Sequence, residues 1–277
     1  MAFEEIDVVR VRGGRPGHAV DRVAVEEPLE VRVQGQPFAV IMRTPGADRE
    51  LAAGFLFAER ILRSADEIGT IAHCRDTTDG EAPLENVVNV TLARALDAGF
   101  DRAMAERRNV VANASCGVCG RLTIESLRAD LSPLLPGFTV PASLVSVLPE
   151  RLRTAQAVFD ATGGLHAAGL FDRDGTLVTS AEDVGRHNAV DKVVGRMLMR
   201  EAVPLGEHTL FVSGRSSFEI VQKAWCAGIP IVASVSAPSS LAVALARDAG
   251  MTLVGFVRDG GFNIYTHSER ITHNDQR

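Results

Sequence analysis

Apolar positions in the first half of the chain come in short runs with changing periods. Val31–Val40 is strand material interrupted by Gly35, Gln36 and Pro37, which predicts a hairpin. Asp48 stands where a helix cap belongs and Glu50 falls in the first turn. Leu51, Phe55 and Leu62 then come round near one face, which predicts a helix. Asn86–Leu92 alternates, with Val88, Val90 and Leu92 on one side of an expected strand. Ala95–Arg107 reads as helix and Asn109–Asn113 as a short strand. That strand runs directly into Ser115-Cys116-Gly117-Val118-Cys119-Gly120, with a further helix beginning near Leu122.

The second half has a steadier rhythm. A helix is expected from Pro149, a residue suited to a first helical position, with Leu152, Ala155 and Phe159 on one face and Gly163 as its stop. Leu165–Phe171 and Thr176–Ala181 flank Asp172-Arg173-Asp174-Gly175, a hairpin signal. Val190, Val193, Val194 and Met197 form one stripe of a following helix. Strands are expected at Thr209–Val212, Ile229–Val235 and Met251–Val257, alternating with helices at Ser216–Ala227 and Ser239–Ala249. Arg258-Asp259-Gly260-Gly261 then turns the chain into an antiparallel edge, Phe262–Thr266.

Strands alternating with helices of about a dozen residues predict an α/β fold, a parallel or mixed sheet with helices on both faces. Pro133, Pro136, Gly137 and Pro141 punctuate the middle. The expected organisation is a smaller α+β domain over 1–140, carrying the cysteine loop, and an α/β domain over 141–277.

Composition excludes several classes. The 277 residues are 46% hydrophobic and 23% charged, the balance of a soluble globular chain rather than a disordered one. A net charge of -6 without a basic run, and only 5% aromatic residues, disfavour nucleic-acid and membrane-surface binding. No apolar stretch approaches the roughly 20 residues of a membrane span. The start, MAFEEIDVVRVRGG, lacks the basic and apolar regions of a secretory signal, and four cysteines are too few for a disulfide framework. A cytoplasmic location is the expectation.

Cys116 and Cys119 are the sharpest chemical feature. Thiols near a helix N-terminus meet its partial positive charge and a CxxC pair supports its own thiolate, so the thiol pKa falls. Gly117 and Gly120 suit a loop that must bring sulfur to a partner. A zinc half-site lacks a second ligand pair, a thioredoxin-like dithiol is one alternative, and a persulfide-forming sulfur carrier is another. Cys226, beside Trp225, reads as core, and Cys74 as a surface or packing residue.

Two strand-end loops could hold a phosphorylated ligand. Ser213-Gly214-Arg215-Ser216-Ser217 opens a helix after a buried strand, where backbone amides attract phosphate and Arg215 adds a forked charge. Phe256-Val257-Arg258-Asp259-Gly260-Gly261 is the second. Neither a GxGxxG after a strand nor a GxxxxGK[ST] is present, which disfavours dinucleotide-dependent hydride transfer and P-loop hydrolysis. Glu182–Asn188 packs two acids, an Arg and a His between a strand and a helix, an expensive group to bury without purpose. His166, in an apolar strand, reads as a hydrogen-bonded core histidine.

Taken in order, Ala114–Gly120, Gly164-Leu165-His166-Ala167-Ala168, Glu182–Lys192, Ser213-Gly214-Arg215 and Phe256–Gly261 resemble the formate dehydrogenase accessory sulfurtransferase (FdhD) family, from about Arg43 to Thr266. The Glu182–Lys192 stretch is its most specific part. The resemblance implies a sulfurtransferase. Such a protein takes sulfur from a cysteine desulfurase as a cysteine persulfide and delivers it to the molybdenum cofactor bearing two molybdopterin guanine dinucleotides, for the catalytic subunit of formate dehydrogenase. By position Cys116 matches the persulfide cysteine and Cys119 its loop partner. Phe256, Val257, Arg258, Asp259, Gly260 and Gly261 match the cofactor-binding loop. A three-layer fold similar to cytidine deaminases and a homodimer are also implied. In deaminases a zinc ligand is followed closely by Glu and, downstream, by PCxxC. Here His166 is followed by Ala167 and Ala168, and the CxxC lies upstream, so no stably bound metal ion is expected. The competing reading is a non-catalytic chaperone of the same cofactor; a dithiol reductase is a third.

Overall fold

The computed structural model describes residues 2–74, 85–93 and 132–273. The expected helix Ala95–Arg107, the strand Asn109–Asn113, the Cys116–Cys119 loop and the helix after it lie outside the described residues.

The chain opens with a hairpin that the pattern reading did not anticipate. Phe3–Arg12 (β1) pairs antiparallel with Arg15–Ala24 (β2) through Gly13 and Gly14, both at positive φ. Most of its side chains face solvent. The expected second hairpin is present as Glu27–Val33 (β3) and Gln36–Arg43 (β4). It turns at Gln34 and Gly35, whose positive φ values of 52° and 76° suit a two-residue turn. Pro37 sits at a register shift, where a missing N–H is tolerated. Ile68–His73 (β5) and Val87–Leu92 (β6) complete a four-stranded sheet in the order β4-β3-β6-β5, in which only β3 and β6 are parallel.

Asp48–Ala58 (α1) lies against this sheet, but Asp48 does not cap it. The N-cap is Ala47, at φ 55°, and the Asp48 carboxylate instead binds Arg43 through two bonds of 3.0 Å. Arg43 is 2% exposed and also reaches Glu27 and Asn86, so one buried guanidinium fixes the end of β4 to α1 and to the entry of β6.

After Val140–Pro141 (β7) the structure departs from the expected helix at Pro149. Ala142–Arg153 (α2) contains Pro149 in its interior, and Ala157–Thr162 (α3) is separate, ended by Gly163 at φ 68°. Leu144, Val145, Leu148 and Leu152 make a buried stripe at helical spacing. Burial of that stripe outweighs the hydrogen bond that Pro149 removes. His166–Phe171 (β8) and Leu177–Asp183 (β9) then form the expected hairpin. Arg186–Met199 (α4), Thr209–Val212 (β10), Phe218–Cys226 (α5), Ile231–Ser234 (β11), Ser240–Asp248 (α6), Thr252–Arg258 (β12), Gly261–Thr266 (β13) and Ile271–Thr272 (β14) follow. The main sheet has the order β13-β12-β11-β10-β8-β9, with β10, β11 and β12 parallel; β7 and β14 pair separately.

Successive side chains of the main sheet serve two apolar clusters. Leu210, Val212, Val232 and Leu253 pack with residues of α4, α5 and α6. Phe211, Ile231, Ala233 and Val254 pack with the α2 stripe and Phe138. Helices therefore cover both faces of a mixed α/β sheet, as the alternation of strands and helices predicts. The first cluster continues through Leu51, Ala52 and Leu56 of α1 to Val31, Val88 and Val90 of the four-stranded sheet. The link is a close helix crossing. A Cβ on Gly54 of α1 would collide with the Asp191 carbonyl of α4, and one on Gly195 of α4 would collide with the Glu50 carbonyl of α1. Cys226 belongs to this core, as expected, and Cys74 is half-buried.

Candidate functional site

Strand direction gathers most of the singled-out residues at one edge. The C-terminal ends of β10, β11 and β12 point the same way because these strands are parallel. β8 is antiparallel to β10, which brings its first residue, His166, to that edge, and Asp183 of β9 sits opposite His166. Ligands of open α/β sheets collect at such strand ends.

The three loops leaving this edge are laced together. Ser213 Oγ accepts the Ala167 N–H at 2.8 Å and its own N–H donates to the Ala167 carbonyl at 2.9 Å, tying the start of the Ser213–Ser217 loop to β8. Ser216 bridges to Pro238, and Ser239 N–H donates to the Ser216 carbonyl at 3.0 Å. Phe256 N–H donates to Ser236 at 3.2 Å. A Cβ on Gly255 would lie 3.0 Å from Pro238, so the third loop needs glycine for its close approach. Phe256 itself has φ 55°, within a register shift of the β12–β13 ladder, and Asp259 and Gly260 make a turn with positive φ at both positions. Within this loop Val257 is buried, whereas Arg258, Asp259, Gly260 and Gly261 are exposed. The Arg258 guanidinium lies 5.4 Å from the centroid of the Phe256 ring.

The Glu182–Lys192 stretch divides into buried fastening residues and residues that face the edge. Asp183 is fully buried and accepts from Thr44 N–H, Gly185 N–H, the Asn188 amide and Lys192, the last at 2.7 Å. Lys192 also donates to the Thr44 carbonyl at 2.9 Å, and Thr44 Oγ1 accepts from Val184 N–H at 3.2 Å. Glu182 accepts from Val158 N–H and Phe159 N–H at the start of α3. These bonds immobilise the turn into α4 against the end of β4 and leave Arg186 and His187 facing the edge.

That edge is cationic. Burial, then the charges of Arg186, His187 and Arg215, lower the His166 pKa below its ordinary value, while Asp183 opposes the shift. His166 is only half-buried and lies against Gly214: a Cβ there would be 3.3 Å from His166 Nδ1 and 3.6 Å from Arg186 Cδ. His166 is therefore an edge residue at the mouth of the sheet and not the core histidine expected from its apolar neighbours. Arg215 is exposed. Among the described residues neither Arg186 nor Arg215 has a carboxylate partner within ion-pair distance, and Arg186 Nε is buried without a hydrogen bond. An anion would find unneutralised forked donors here.

Two groups escaped the pattern reading. His187 Nε2 lies 3.0 Å from Ser217 Oγ, and His187 Nδ1 lies 2.8 Å from Glu219 Oε2. Beneath them Lys223 binds both carboxylate oxygens of Asp191 at 2.6 and 2.7 Å. Burial pushes the Asp191 carboxyl up to about 6, against the opposing pull of Lys223. Burial lowers the Lys223 pKa, but Asp191 and the nearby acids outweigh it and the net shift is upward. Asp191 and His187 are one turn apart in a motif already singled out, Ser217 ends the Arg215 loop, and Glu219 and Lys223, also one turn apart, follow it. No sequence signal says that the two stretches meet.

Comparison with known proteins places this arrangement. The sulfur carrier protein FdhD of Anaeromyxobacter dehalogenans (strain 2CP-C) is 53% identical over 264 residues, covering 93% of this chain and 91% of the relative. Its namesake in Streptomyces avermitilis is 47% identical over 271 residues, covering 97% and 95%. A crystal structure described as a formate dehydrogenase accessory protein from Desulfotalea psychrophila is similar with a TM-score of 0.77 and 26% identity, over 98% of this chain and all of that one. The model of the FdhD/NarQ family matches residues 24–272, all but the N-terminal hairpin and the last few residues, and the chain belongs to that family.

Proposed function

We propose that this protein is a sulfur carrier that accepts sulfur from a cysteine desulfurase as a persulfide on Cys116 and passes it to the molybdenum cofactor carrying two molybdopterin guanine dinucleotides, in the maturation of formate dehydrogenase. The observation that carries the reading is the near-full-length similarity to proteins named sulfur carrier protein FdhD. The relative of solved structure, described as a formate dehydrogenase accessory protein, supports the enzyme served. On this reading the Cys116 thiolate attacks the outer sulfur of the donor persulfide, the donor S–S bond breaks, and the donor cysteine leaves as thiolate. Cys119 assists acceptance or release.

The cofactor is the cargo, and its pyrophosphates are the groups a cationic edge would hold. Ser213, Gly214 and Arg215 would meet one phosphate region, with Phe256–Gly261 as the other binding loop and Arg258 as its charge. The layered sheet with helices on both faces is consistent with the three-layer arrangement that cytidine deaminases share, here without their metal chemistry. A homodimer working in the cytoplasm, with the desulfurase and the formate dehydrogenase catalytic subunit as partners, completes the proposal.

A binding-only chaperone is the second reading: Arg186 and Arg215, without carboxylate partners among the described residues, could hold the anionic cofactor with no cysteine chemistry. The two readings separate in a strain lacking its own copy of this protein. Cys116→Ala is expected to abolish formate dehydrogenase activity while the protein accumulates normally. Full activity with both Cys116 and Cys119 replaced, but none with Arg258→Ala, would establish the chaperone instead.

A further inference from the structure

Sulfur transfer gives no work to the chain Ser217–His187–Glu219. Ser217 occupies the N-cap of α5, where a serine hydroxyl ordinarily accepts a backbone N–H of the first turn, yet its side chain makes no such bond. It turns to His187 Nε2 at 3.0 Å instead. On the other side of the ring Glu219 Oε2 is 2.8 Å from Nδ1, and Glu219 is 6% exposed. An ionised carboxylate only accepts, so Nδ1 carries the proton of the neutral ring. Nε2 is then an acceptor, and the Ser217 hydroxyl is the donor. This is the order of nucleophile, base and orienting acid that activates a serine. The first-turn N–H groups of α5, which no helix can satisfy from within and which Ser217 leaves uncapped, follow Ser217 directly in the chain and are donors suited to a developing oxyanion.

We propose that Ser217 is an activated nucleophile for acyl transfer, with His187 as its base and Glu219 as its orienting acid, acting on carboxylic esters that carry a negative charge. The charge preference comes from Arg186, adjacent to His187, and Arg215, two residues before Ser217. In the step, Ser217 Oγ bonds to the ester carbonyl carbon and its proton passes to His187 Nε2. The ester C–O bond breaks, and the departing alcohol takes that proton. Water then repeats the exchange, releasing the acid and restoring Ser217.

The test uses the full chain and a fluorophosphonate, which forms an Oγ–phosphorus bond as fluoride leaves. One adduct per chain is expected in intact mass, mapped to Ser217, absent in Ser217→Ala and slowed by roughly 100-fold or more in His187→Gln or Glu219→Gln. Hydrolysis of mono(4-nitrophenyl) succinate is expected to exceed that of 4-nitrophenyl acetate, with the advantage reduced in Arg186→Gln. Labelling of the wild type no greater than that of Ser217→Ala overturns the proposal. Labelling that ignores both His187→Gln and Glu219→Gln overturns the relay, and equal rates on the two esters overturn the charge preference.

Discussion

Asp191 and Lys223 show how much of this site rests on a buried ion pair. Both side chains are at least nine-tenths buried, and each leaves the other uncompensated if removed. Asp191→Asn or Lys223→Met alone is expected to cost about 3–5 kcal/mol by urea denaturation, and the double variant markedly less than the sum. The carboxyl also gives the fold a pH signature. Its folded pKa of about 6 exceeds the ordinary 3.8, so the folded state holds the extra proton between those values. Its contribution to stability therefore falls as pH rises from about 4 to about 6, and Asp191→Asn is expected to remove that slope. Lys223, raised above 10.5, contributes stability that is present below that pH and is lost as pH climbs through the folded value. His187 and Asp183 were legible as unusual from their motif alone. That they meet Ser217 and Thr44 was not legible, because those contacts join segments 30 and 139 residues apart.

At the scale of elements, the α1–α4 crossing is the most exacting contact in the fold. Replacing a helix-interior glycine by alanine ordinarily stabilises by about 1 kcal/mol. At Gly54 and Gly195 the added methyl meets backbone of the facing helix, which has no rotamer to move, so each replacement is expected to destabilise by about 1–3 kcal/mol or more. Chemical denaturation of Gly195→Ala reads this as a reversal of sign; a gain in stability would mean that the helices are further apart. The elements easiest to foresee were those with a strong local signal. The Asp172–Gly175 and Asp259–Gly260 turns, the Val190–Met197 stripe and the strands β10–β12 all fell where their patterns put them. The Pro149 helix did not, since a proline inside a helix gives the same local signal as one at its start. Only the facing sheet, which buries Leu144–Leu152, decides between them.

For the whole molecule, a core shared between the two sheets sets apart the one piece that does not join it. The β1–β2 hairpin holds Val9 and Val11 at 62% exposure and touches the body mainly at α3. Deleting residues 2–24 is expected to change stability by less than about 1 kcal/mol, a melting shift of roughly 2–4 °C at most. A larger loss would show that the hairpin belongs to the core. Its strands were hidden in the sequence because both faces mix charged and apolar residues, leaving no period to read. The cationic edge, by contrast, was half visible. Strand-end glycines and arginines marked Ser213–Arg215 and Phe256–Gly261, while its electrostatic partners His166 and Arg186 became clear only through the antiparallel placement of β8 and β9.

The central claim is that Cys116 carries sulfur. Its most direct test is the intact mass of the full chain after incubation with a cysteine desulfurase and cysteine, with Cys116→Ala and Cys119→Ala beside the wild type. The expected result is a gain of one sulfur mass, reversed by reductant, kept in Cys119→Ala and lost in Cys116→Ala. No added sulfur on any form, while the desulfurase turns over, would contradict the carrier function and leave the cationic edge as the binding surface of a chaperone.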